Sequence, residues 1–112
     1  MKETHIFHSG RFRVFTVPDE KKMSHWVNAP VVVDCDTGKE VVDLRLGRWD
    51  LRDVVETEDG LDMTLSPYPH GGITVIASLL LFRGRARLAG RSVPLDELPA
   101  LLEALPGVYT AP

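Results

Sequence analysis

The chain has 112 residues, 44% of them apolar and 26% charged, and carries a formal net charge of −3. This is ordinary composition for one globular domain, long enough to bury roughly 60–70% of the surface of its unfolded chain. The mild acidity argues against nucleic-acid binding, whose footprint is basic, and no apolar run is long enough for a membrane helix.

The single Cys35 rules out an intramolecular disulfide and points to a reducing compartment. The N-terminal MKETHIFHSG lacks the apolar core of a signal peptide. The expectation is a soluble cytoplasmic protein. Arg outnumbers Lys nine to four, Asn occurs once and Gln never, a bias expected of a GC-rich bacterial genome.

In chain order, two-residue alternation dominates. In HIFHSGRFRVFTV, Ser9-Gly10 separates two aromatic-rich runs. A tight turn there sets Phe7 opposite Phe12 and His5 opposite Val14, a half-buried hairpin. Pro18 to Lys22 is a polar break, and Ser24 to Ala29 is expected to be irregular.

The next segment, PVVVDCDTGKE, has two readings. An apolar strand ending in Asp-x-Asp resembles the nucleophile motif of haloacid dehalogenase-type phosphotransferases. The resemblance implies Asp34 as the phosphorylated nucleophile and Asp36 as acid/base. It departs from the family pattern at Thr37, which follows Asp36 without the usual intervening residue. It also requires a parallel strand followed by a helix. The second reading is a hairpin with a two-residue loop at Thr37-Gly38. Val33 then faces Val42, and Val31 faces Leu44. Val31, Val33 and Cys35 point inward, while Asp34 and Asp36 point to water. This register sorts nearly every residue to a sensible face, and the residues after Gly38 return as a strand. The hairpin is the reading adopted.

Gly47 to Asp50 forms a corner carrying Trp49. Leu51 to Thr57, LRDVVET, reads as a strand that alternates poorly, and Glu58-Asp59-Gly60 is a turn signal. Leu61, Met63 and Leu65 alternate with polar residues as a half-buried strand. After the loop SPYPHGG, the run GITVIASLLLF is apolar on both faces and belongs centrally in a sheet. Arg83-Gly84 turns it back, setting Leu81 against Ala86, with Arg85 and Arg87 facing away. Ala89-Gly90 turns again into Arg91 to Pro94. In LDELPALLEALPG the period becomes helical: Leu98, Leu101, Leu102 and Leu105 form one stripe, with Asp96 as cap and Pro99 in the first turn. Such a short helix must dock, and the central strand is its expected platform. The fold class is therefore mainly β (α+β): one domain over 1–112, an antiparallel hairpin-built sheet or sandwich of six to eight strands, with one C-terminal helix.

Catalytic and metal constellations do not emerge. His5 and His8 are three apart in a strand and point to opposite faces, while His25 and His70 lie in distant loops. No Cys pair, HExxH helix or GxSxG turn is present. Cys35, inward and flanked by carboxylates, is expected to be an inert thiol. No catalytic residue, metal or cofactor is assigned.

Three features are candidates for binding. Ser66 to Gly72 displays Tyr68 and His70 on a Pro/Gly-stiffened bend, either a ligand-binding loop or a plain hairpin connection. Arg83, Arg85, Arg87 and Arg91 cluster opposite the acidic stretch Asp50 to Asp62, either to hold phosphate, nucleic acid or an acidic partner, or to balance charge on a solvated face. Trp49 is either an interface anchor or corner packing.

DCDTGKEVVDL, Trp49-Asp50 and LDMTLSPYP together resemble small bacterial β-rich proteins, some of which sit beside toxin genes as immunity factors. The resemblance implies fold more than activity. The expected function is a non-catalytic protein-binding module, in its sharpest form an immunity or inhibitor protein. A small-ligand binder or enzyme using Ser66 to Gly72 is the second reading, and nucleic-acid binding through Arg83, Arg85 and Arg87 is the third. A homodimer is also expected to be within reach, since Ile76, Leu80 and Phe82 need cover.

Overall fold

The computed structural model describes residues 4–20, 26–45, 47–68 and 73–105. Among them, nine strands form two antiparallel sheets. The first sheet has the order β1 (Thr4–Phe7), β2 (Phe12–Glu20), β3 (Trp26–Asp34), β4 (Lys39–Asp43). The second has the order β5 (Trp49–Glu56), β6 (Leu61–Pro67), β7 (Val75–Leu80), β8 (Arg85–Leu88), β9 (Arg91–Pro94). Within each sheet every strand pairs with its neighbour in sequence, so both sheets are built from hairpins, and only the β4–β5 step passes from one sheet to the other. Helix α1 (Leu98–Glu103) follows a single 3₁₀ turn, Leu95–Glu97.

One core joins the sheets. Phe12, Val14, Val32, Val42 and Leu44 come from the first layer, and Leu61, Met63, Leu65, Ala77, Leu79, Ala86 and Leu88 from the second. Leu98, Leu101 and Leu102 of α1 complete it, which is the expected leucine stripe. The helix docks against β4 and β8, not on a face of central β7 as the sequence suggested. It thus covers apolar side chains of both sheets at once. Asp96 makes no side-chain cap; it lies in the 3₁₀ turn that leads into the helix.

Several registers match the sequence expectation. Phe7 faces Phe12 and His5 faces Val14. At the β8–β9 turn Leu88 faces Arg91, with Ala89 at φ 52° and Gly90 at φ 78°, the double positive φ that a two-residue hairpin loop requires. Between β7 and β8 the turn is longer than expected, and Leu79 rather than Leu81 faces Ala86. The shift is two residues, so the same side chains still point inward.

The β3–β4 hairpin differs more. Its turn spans four residues, because the Asp34 carbonyl accepts N–H groups from Thr37 (3.3 Å) and Gly38 (2.8 Å). The longer turn shifts the pairing by two residues and a bulge between Val32 and Val33 takes one back, so that Val32, not Val33, faces Val42. An odd net shift exchanges the faces. Val32 enters the shared core. Cys35, expected inside, is exposed, and Asp34, expected outside, is buried. The strand is antiparallel to both neighbours, unlike the phosphotransferase arrangement.

Two further departures have local causes. β2 runs through Pro18 to Glu20 and pairs with Trp26–Ala29, where a break and an irregular segment were expected. Among the described residues β1 starts opposite Phe15, so Pro18 of β2 pairs with β3 alone, an edge position where proline is tolerated. LRDVVET alternates poorly because a bulge between Leu51 and Asp53 interrupts β5. It forms the strand that the sequence allowed there, and the nine strands among the described residues are one more than the expected six to eight.

Candidate functional site

Four turns meet at one end of the sandwich: His8–Arg11, Cys35–Gly38, Thr57–Gly60 and Leu81–Gly84. The first is conformationally unusual. His8 (φ 53°) and Ser9 (φ 54°) are consecutive non-glycine residues in the left-handed region, each costing roughly 1–2 kcal/mol. Such a conformation persists only where neighbours over-determine it. Here the His8 backbone N–H donates to a Glu56 carboxylate oxygen at 2.6 Å, and its ring Nε2–H donates to the Gly60 carbonyl at 2.8 Å. The first turn is thus pinned to the β5–β6 turn.

Gly60 also lets the third turn close on the end of β7 and the fourth turn. A Cβ there would sit 1.9 Å from the Leu79 carbonyl oxygen and 2.8 Å from the Leu81 nitrogen, so only glycine lets the two turns close. The Phe82 N–H reaches the Asp59 carbonyl at 3.5 Å, and the Arg83 guanidinium lies 4.0 Å from the Asp59 carboxylate. The third and fourth turns are thereby joined.

Phe82 stands at the centre. Its side chain is 51% exposed, although it is a large aromatic. It makes edge-on contacts with His8 (4.9 Å) and Phe12 (5.3 Å), and the Arg11 guanidinium lies 5.6 Å from its ring centre. Arg11 is held in turn by two hydrogen bonds to Asp34, 2.9 and 3.1 Å, and by Asp36 at 3.3 Å. The hydrogen bonds from Arg11 hold the Asp34 carboxyl below the usual carboxylate range, helped by the Asp36 N–H, while partial desolvation opposes them. Arg11 is shifted upward by the same contact. The arginine fork is therefore a fixed cation laid against aromatic rings.

The residues expected to bind are scattered by the fold. Arg83 belongs to this turn cluster. Arg85 and Arg87 project from β8 on the outer face of the second sheet, away from the core, as expected. Arg85 donates to the Ser92 hydroxyl (3.3 Å) and carbonyl (3.0 Å). Arg83 is not on their strand; it ends the 3₁₀ turn Leu81–Arg83. Trp49 is no displayed anchor: it starts β5, is 1% exposed and lies in the shared core. Tyr68 is half-buried, with its N–H donating to the Arg48 carbonyl at 2.8 Å and its own carbonyl accepting from Arg48 at 3.3 Å. His70 and most of its loop lie outside the described residues, as does His25.

Sequence reasoning missed His8, Arg11 and Phe82 as a unit. Phe82 was legible as an apolar residue in need of cover, and Ser9-Gly10 as a turn. Their meeting depends on how the turns of two sheets align, for which no sequence spacing exists.

Among the described residues, no group of three or more His, Cys, Asp or Glu side chains is placed to hold a metal ion. A cleft of about 280 Å³ lies between α1 and β4, lined by Asp43, Leu44, Gly47, Trp49, Pro99, Ala100 and Glu103. That is smaller than the usual ligand pocket of about 300–1,000 Å³. No helix among the described residues is long and apolar enough to cross a membrane. Comparison with protein-family models, curated proteins and solved structures finds no match for this chain.

Proposed function

We propose that the protein is a non-catalytic binding module that docks a protein partner on the turn cluster around Phe82. The observation that carries this reading is a half-exposed phenylalanine fixed by His8, Phe12 and Arg11. An aromatic ring that is already immobilised loses little conformational freedom on binding, and aromatic and arginine side chains dominate interface energetics. Around it lie cations (Arg11, Arg83) and carboxylates (Asp34, Asp36, Glu56, Asp59), a polar rim of both signs. In its sharpest form the module is an immunity or inhibitor protein of a bacterial toxin system, in line with the sequence resemblance.

The test pairs capture with purified components. A partner recovered under native conditions is identified, purified and titrated against wild type and Phe82→Ala by calorimetry. Phe82→Ala is expected to weaken binding by about tenfold or more while leaving the far-ultraviolet dichroism intact. Equal affinity of the two proteins refutes the site. Substrate turnover by the purified protein, with no partner recovered, refutes the function.

A further inference from the structure

The outer face of the five-stranded sheet lies outside the turn cluster, and its pattern is fixed by register. One row across the sheet reads Val55, Asp62, Ser78, Arg87, Ser92, from β5 to β9. Ile76 and Leu80 flank Ser78 along β7 on the same face. Ile76 is 58% exposed and Val55 53%, high values for branched apolar side chains in strands. Asp62 and Arg87 stand one strand to either side of β7. Being two strand spacings apart, they are separated by roughly 10 Å within the chain. Among the described residues, neither side chain makes an ion pair or hydrogen bond.

We propose that this face is the interface of a homodimer, with β7 packed on β7 of a second copy about a two-fold axis parallel to that strand. The charges choose the occupant and the axis together. Rotation about β7 exchanges the two sides of the sheet and keeps each row at its own height. Asp62 then faces the partner's Arg87, and Arg87 faces the partner's Asp62. Ile76 meets Ile76, and Leu80 meets Leu80, on the axis. Rotation about an axis across the strands would instead set Asp62 against Asp62 and Arg87 against Arg87, which like-charge repulsion disfavours. A face with acid on one flank, base on the other and apolar residues between them is complementary to itself, the property an isologous interface requires. Two sheets packed face to face lie about 10 Å apart, within reach of an Asp–Arg pair.

The patch is small. Five strands by six residues present roughly 20 Å by 20 Å, on the order of 400 Å² per copy, below a standard interface. The dimer is therefore weak and concentration-dependent. It also leaves Phe82→Ala informative about the other surface, since that substitution does not remove the paired charges.

Sedimentation equilibrium of the full chain from about 1 µM to about 1 mM tests this. Wild type is expected to shift from monomer to dimer mass across that range. Asp62→Arg alone and Arg87→Asp alone are each expected to weaken association about tenfold, because each creates a like-charge contact. The double variant Asp62→Arg/Arg87→Asp restores it by re-forming both pairs in the opposite sense. Monomer mass at every concentration overturns the proposal, and so does a dimer indifferent to the single substitutions. Failure of the double variant to recover, with its fold intact by dichroism, overturns the axis.

Discussion

Strands β3 and β7 read alike in sequence and end differently. Both sit inside their sheets and both are apolar on two faces. In β3 both faces are buried: Val32 enters the core between the sheets, while Val27, Ala29, Val31 and Val33 are covered on the opposite side. In β7 only Ala77 and Leu79 are buried, and Ile76 remains largely exposed on the other side. Apolar character on two faces therefore states a demand for cover, and the tertiary structure meets it in one strand and not in the other. The unmet demand in β7 is what makes its outer face a candidate interface.

Substitutions along the two strands measure this difference directly. Leu79→Ala, on the inner face of β7, is expected to lower unfolding stability by about 3 kcal/mol in urea titrations, from lost burial plus a cavity. A loss below about 1 kcal/mol would show that the shared core is looser than its burial indicates. Val31→Ala, on the far face of β3, is expected to cost about 2 kcal/mol; a near-neutral result would make that face equivalent to the outer face of β7 and remove the contrast. Ile76→Ala, measured at micromolar concentration where the monomer prevails, is expected within about 0.5 kcal/mol of wild type.

The end of β3 adds a pH-dependent contrast. Asp34 is held ionised by Arg11, so its folded pKa lies below its unfolded value. Its stabilising effect is complete above the unfolded carboxylate value of about 4 and disappears as pH falls through the lower folded value. Asp34→Asn is expected to unfold at a lower urea midpoint than wild type at neutral pH, with the two midpoints converging in acid. A constant gap down to strongly acidic pH would show that the Arg11–Asp34 contact contributes nothing through ionisation. Asp43, lowered by its hydrogen bonds with Arg45, adds to the same acid limb in both proteins and does not obscure the difference.

Much of the fold was legible because local rules carried it. Alternation located most of the strands, glycine-bearing turn signals located the reversals, and the leucine spacing located α1. The N-terminal register followed from Ser9-Gly10 alone. The β3–β4 register did not. It rests on a four-residue turn closed by the Asp34 carbonyl and on a bulge, with Arg11 of the preceding hairpin holding the Asp34 carboxylate. The binding candidates fared unevenly for the same reason. Arg85 and Arg87 face outward because strand parity is a local property. Trp49 is buried because the opposing sheet and helix close over it.

Sequence alone determined that this chain doubles back at short intervals, builds antiparallel sheets and ends in a leucine-striped helix. Each of these follows from neighbours a few residues apart. Only the tertiary structure decided which apolar faces are covered, that one net odd shift exchanges Asp34 with Cys35, and that four distant turns converge on Phe82. Those outcomes depend on contacts between segments dozens of residues apart, where no periodicity constrains the pairing.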